Sequence, residues 1–108
     1  MIVNLTPHEV NIKKGDGFVS IPASGKVARC TATTVITGEL EGFIETRTVY
    51  GQVQDLPDPE EGVFYIVSSL VALALPFRHD LRIPNESIRD ESGKIICCRS
   101  LGRVDQVF

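Results

Sequence analysis

The chain has 108 residues, of which 43% are hydrophobic and 23% charged. That length suits one domain burying roughly two thirds of its unfolded surface, and that composition excludes wholesale disorder. A net charge of −3 excludes non-specific nucleic-acid binding, which needs a basic face to release counterions.

Alternation of apolar and polar residues with period two, the strand signal, dominates the first half. Val3 and Leu5 begin it, Thr6-Pro7-His8 interrupts it, and Val10 and Ile12 resume it. Lys13 to Gly17 reads as a turn into a second strand, Phe18 to Ile21, making a hairpin. Pro22-Ala23-Ser24-Gly25 is a second turn, because Pro presets one φ angle and Gly supplies a positive one. Val27 to Ile36 is rich in Thr and Val, which suit a pleated surface. A turn over Gly38 to Gly42 leads to a long strand, Phe43 to Val53, with a bulge expected at Gly51. Pro57 to Gly62 is a loop of strong breakers. It lies within one domain, since neither half looks able to bury a core alone.

Val63 to Val67 is a strand-like apolar run. Ser68 and Ser69 follow, and Leu70 to Leu75 reads as a short helix closed by Pro76. Leu81-Arg82-Ile83 is a short strand that Pro84 is expected to stop. Ile88-Arg89 and Lys94 to Leu101 form the arms of a last hairpin, with Gly93 at the left-handed position of its turn. The tail from Gly102 to Phe108 is expected to fray or to dock on a partner. With no internal repeat, the chain reads as mainly β, within the α+β class. The expected architecture is a small single-domain antiparallel sheet or partly open barrel carrying one short helix.

Three cysteines, an odd number, fit a reducing cytosol better than a disulfide scaffold. Cys97 and Cys98 are neighbours whose side chains diverge on a strand, so both read as structural, one of them in the core. With no Trp and only seven aromatics, that core is expected to consist of Val, Ile, Leu and Ala. No signal-like segment opens the chain and no apolar run is long enough to span a bilayer. A soluble, cytoplasmic protein without membrane contact is expected.

The segment Val63 to Asp80 carries the most chemistry. It joins a buried strand, a helix start and three ionisable residues, Arg78, His79 and Asp80. Ser68 and Ser69 read first as a helix cap, and second as hydroxyls that join the free N–H groups in holding an anion. Arg78 and Asp80 read first as an ion pair in a solvated loop. Their second reading is ligand capture, with arginine offering a fork to phosphate and aspartate accepting from ribose or amino groups. Arg89 and Arg99, on the two arms of the last hairpin, are second-tier candidates for the same cleft. Charge favours that end: residues 1–75 hold five basic and nine acidic groups, residues 76–108 six and five. Asn4-Leu5-Thr6-Pro7-His8 reads as a structural turn, with His8 in a pocket wall as the lesser option.

No Gly-rich phosphate loop, Gly-x-Ser-x-Gly elbow, metal-ligand spacing or paired-carboxylate site is present. No catalytic residue, metal or cofactor is therefore expected. Glu39, Glu41 and Glu45 flank a turn and read as a solvated face.

Asn4-Leu5-Thr6-Pro7-His8, Tyr65-Ile66-Val67-Ser68, Arg78-x-Asp80-Leu81, Pro84, Arg89-Asp90 with Gly93, and Cys98-Arg99-Ser100-Leu101 give the chain a further likeness. It resembles a group of small proteins encoded by phages, prophages and bacteria, over most of its length. The resemblance carries no activity. It implies a phage-related context, in which small proteins often act against host defence and some, of other families, are oligomeric sponges for nucleotide signals.

Together these readings favour a non-enzymatic protein, expected to be a homo-oligomer, sequestering a small anionic ligand such as a nucleotide signal. Ser68, Ser69, Arg78, His79 and Asp80 would form its site, with Arg89 and Arg99 behind them. Two alternatives stand beside it: a protein–protein inhibitor or interaction module, and a minor structural protein of a virion.

Overall fold

Short alternating segments between strong turn formers give eight strands and one short helix, and the computed structural model describes residues 1–104. The strands are β1 (Ile2–Asn4), β2 (Val10–Lys14), β3 (Gly17–Ile21), β4 (Ala32–Leu40), β5 (Phe43–Tyr50), β6 (Phe64–Ile66), β7 (Leu81–Arg89) and β8 (Ile95–Gly102). The helix, α1, covers Ser69–Ala74. Six strands form one sheet in the order β1-β6-β7-β8-β2-β3, while β4 and β5 pair only with each other.

The chain is mainly β, and the larger sheet curls into a half-barrel. Its pairing is mixed. β1–β6, β6–β7 and β2–β8 are parallel, and only β7–β8 and β2–β3 are antiparallel. The curl shows in the packing. Ile66 on β6 meets Val10 on β2 and Cys98 on β8 in one buried cluster, with Ile12, Ile21 and Leu101 at its rim. In a flat sheet β6 and β2, three strands apart, would be separated by about 14 Å. Tyr65 and Val67 point the other way, onto Leu5, Ala28, Leu81 and the helix residues Val71 and Ala72. β6 therefore buries both faces, as the continuous apolar run Val63 to Val67 suggests. Tyr65 and Cys98 join the aliphatic core the composition implies.

Asn4 holds the curl closed. It is 1% exposed, and it ends β1, the first strand of the sheet order. Its Nδ2 donates to the carbonyl of Ile21, the last residue of β3 at the other end of that order, at 3.1 Å. The same nitrogen donates to His8 O at 2.8 Å, and Oδ1 accepts from Thr6 N at 2.9 Å. The Thr6 hydroxyl lies 2.6 Å from Asn4 Oδ1 and 3.0 Å from His8 O, and its single proton serves one of them. Ser24 N donates to Asn4 O at 3.0 Å. The segment Asn4 to His8 is thus the turn its sequence suggests, and His8 is exposed.

Several boundaries differ from the sequence reading. Pro84 does not stop a strand, because β7 runs through it to Arg89. It sits beyond Arg82, the last β7 residue paired with β6, so the missing N–H costs no ladder bond on that side. The strand expected over 27–36 is shifted to Ala32–Leu40, and its hairpin turn is only Glu41-Gly42. Both residues have positive φ, 51° and 85°, the twist that lets two residues join antiparallel strands. The bulge lies between Ile36 and Gly38, not at Gly51, where β5 has already ended. The last hairpin turns as expected, with Gly93 at φ 88° and Asp90 Oδ1 accepting from Ser92 N and Lys94 N. Of the tail expected to fray or dock, residues 102–104 are described, with Gly102 closing β8, and residues 105–108 lie outside the described residues.

Replacing Asn4 with Ala removes two donors and an acceptor from a buried position and leaves the partly buried His8 O and Ile21 O without the amide. Urea unfolding should show a loss of about 3 kcal/mol, near 1 kcal/mol per lost hydrogen bond plus desolvation. A loss below about 0.5 kcal/mol, the range of an ordinary surface substitution, would contradict the clasp.

Candidate functional site

The segment singled out in the sequence is built mainly to hold itself. Ser68 caps α1, its Oγ accepting from Val71 N at 3.3 Å. Ser69 is the first helical residue and is exposed. Two residues after Pro76, the Arg78 guanidinium meets Asp80 through two bonds, Nε to Oδ1 at 2.8 Å and Nη2 to Oδ2 at 2.7 Å. Nη2 also donates to Pro57 O at 3.0 Å, tying the 57–62 loop to the strand that follows. The hydrogen bonds from Arg78 hold the Asp80 carboxyl below the usual carboxylate range against the opposing effect of burial. Arg82 braces the same corner, donating to His79 O and Leu81 O and lying over the Phe64 ring at 5.0 Å.

Arg78, His79 and Asp80 do line one cavity, of 320 Å³, together with Glu60, Phe64 and Phe77. Its arginine is already neutralised by Asp80, and its rim is apolar and acidic. Ser68 lines a different cavity with Pro7, Arg29 and Leu70. Arg89 sits at the far end of β7, roughly 25 Å along the strand from Leu81. There it donates to Gly93 O across the hairpin turn. Arg99 is exposed on β8 between the paired residues Cys98 and Ser100. The seven sequence-predicted residues therefore do not converge: three share a cavity and four lie elsewhere.

Two features escaped the sequence reading. The first is a cavity of 510 Å³ lined by Gly25, Lys26, Arg29, Asp55, Leu56 and Pro57. Neither Lys26 nor Arg29 has a side-chain hydrogen bond or ion pair among the described residues. A signal for it exists, since residues 17–38 contain two basic groups and no acidic one.

The second is the β4–β5 hairpin itself. Every residue of both strands is exposed, including Val35, Ile36, Leu40, Phe43, Ile44, Val49 and Tyr50. Ile36 and Ile44 are 69% exposed and Phe43 74%, values that leave these residues mostly in water. The hairpin is an arm about 30 Å long, from nine residues at strand rise. Its base is fixed: Gly51 N donates to Thr31 O, Arg29 pairs with Gln54, and Ala28, Cys30, Val53 and Leu56 pack on the helix-side core. Its exposure is not visible in the sequence, because alternation does not reveal whether anything covers a strand.

Among the described residues no group of three or more His, Cys, Asp or Glu is arranged to hold a metal ion. No described helix is long and apolar enough to cross a membrane. No protein-family model matches the chain, and neither curated proteins nor solved structures give a match.

The Arg78–Asp80 pair makes a pH-dependent contribution of definite sign. Because the folded Asp80 pKa is depressed, its stabilisation is present above the unfolded value, about 3.9, and is lost as pH falls through the folded value. Asp80→Asn should therefore be less stable than wild type at pH 7, with the gap closing below about pH 4. A gap independent of pH in thermal melts would contradict that role.

Proposed function

We propose that the protein is a non-enzymatic interaction module that grips another protein through the β4–β5 arm. One observation carries this reading: seven large apolar side chains are exposed on a two-stranded arm whose every residue faces solvent. A lone two-stranded hairpin is marginal in water, and apolar patches of this extent mark interaction sites. At on the order of 100 Å² each, four on one face and three on the other, these side chains approach the ~800 Å² that one partner contributes to a standard interface when both faces of the arm are gripped. The resemblance to phage- and prophage-encoded proteins suggests two settings, inhibition of a host protein and a minor place in a virion.

Native mass spectrometry of freshly purified protein tests it. Wild type should carry a protein, a further copy or a different chain, and Phe43→Ser/Ile44→Ser should be bare at unchanged secondary structure. A bare wild-type monomer that gains thermal stability from nucleotides would overturn the reading.

A second reading, sequestration of a small anion such as a nucleotide, is favoured by the unpaired Lys26 and Arg29 in their 510 Å³ cavity. It moves the anion site away from Arg78, whose fork is occupied. Calorimetric titration with a nucleotide panel should give heat that Lys26→Ala/Arg29→Ala abolishes and Arg99→Ala leaves intact. No heat from any nucleotide would remove it.

A further inference from the structure

The arm has two free edges, and they differ. The β4 edge is broken by the bulge between Ile36 and Gly38, a device that hinders pairing with another strand. The β5 edge runs unbroken over Phe43–Tyr50, without proline, lysine or bulge. Phe43, Glu45, Arg47 and Val49 share one face of it, and Ile44, Thr46, Thr48 and Tyr50 the other.

The first set reads apolar, acid, base, apolar, symmetrically about Thr46. We infer that β5 pairs antiparallel with β5 of a second copy of this chain, in the register that sets Thr46 opposite Thr46. Resting on the reading of the arm as the interacting element, this inference names its partner. In that register Glu45 stands opposite Arg47 of the second copy, and Arg47 opposite its Glu45. Phe43 and Val49 face each other twice, and Ile44 faces Thr48 twice. Aromatic with β-branched, Thr with Thr and acid with base are the cross-strand pairs that stabilise a sheet.

Neighbouring registers are opposed by the same residues. Centring the pair on Glu45 sets two carboxylates face to face, and centring it on Arg47 sets two guanidiniums face to face. The intermediate slips put side chains on mismatched faces. Glu45 accepts at Oε1 from the hydroxyl of the bulged Thr37 at 2.7 Å, and its second oxygen has no partner among the described residues. Arg47 has no hydrogen bond or ion pair among the described residues. The product is a two-fold, four-stranded intermolecular sheet, with Val35, Leu40, Phe43 and Val49 of both copies on one face and Ile36, Ile44 and Tyr50 on the other. One strand per copy is a small interface, so the dimer dissociates on dilution.

Sedimentation velocity over a concentration series tests this with four proteins: wild type, Glu45→Arg, Arg47→Glu and the double exchange Glu45→Arg/Arg47→Glu. Wild type should dimerise. Each single reversal should weaken dimerisation by tenfold or more, the double exchange should restore it, and an equimolar mixture of the two single variants should form a heterodimer. Circular dichroism on each variant checks that the arm stays folded. A wild-type dimer indifferent to all three changes would refute the register. A wild type monomeric at every concentration would refute self-pairing, while a different protein retained in native mass spectrometry would leave the interaction reading standing.

Discussion

The side-chain amide of Asn4 is the constraint on which the body of this protein depends. A six-stranded sheet with three-residue strands at β1 and β6 has little ladder to hold it in a curl. Its inner cluster is small, built around Val10, Ile66 and Cys98. One buried amide supplies what packing alone does not. It donates to carbonyls on the segment entering β2 and at the end of β3, and accepts from the turn that follows β1. Asn4 is buried, so its amide must be satisfied within the fold, because unpaired it would carry the desolvation cost. The curl and the amide therefore support each other: the curled sheet brings Ile21 O to β1, and Asn4 donates to it there.

A second polar device repeats this logic on the opposite side. Arg78 joins Asp80 to Pro57 O and so fixes the loop that returns the chain from the arm to β6. The second clasp takes up Arg78 and Asp80, the two charged side chains that most suggest a ligand site. Their hydrogen-bonding capacity goes into closing the fold. What the fold leaves unsatisfied is elsewhere: the apolar faces and free β5 edge of the arm, and the cations of the Lys26–Arg29 cleft. A rigid, self-satisfied body with a projecting unsatisfied arm is the division of labour expected where binding elements are held out by a scaffold.

Local chemistry was legible in the sequence and long-range geometry was not. Ser68 as helix cap, Gly93 in the last turn, and Arg78 pairing with Asp80 each follow from neighbours within a few residues. Asn4 and Thr6 bonding their own backbone was legible too, but Ile21 O, seventeen positions away, was not. Pro84 was misread because its tolerance depends on where β6 stops, a fact about a different strand. The exposure of the arm was not legible: Thr, Val and Ile in alternation specify strands at 32–50, yet a strand covered on one face and one exposed on both share that pattern. Lys26 and Arg29 face a cavity because the chain returning from the arm brings Asp55 to Pro57 beside them at its base.

Hydrogen exchange followed at two protein concentrations addresses the division into closed body and open arm directly. Self-pairing through β5 predicts that β5 amides pointing away from β4 become protected as concentration rises, while the bulged β4 edge does not. Amides of β6 and β7 should be protected throughout, as core strands exchange only by larger openings. Arm protection already complete in dilute protein and unchanged on concentration would contradict it, because the arm would then be supported by its own body.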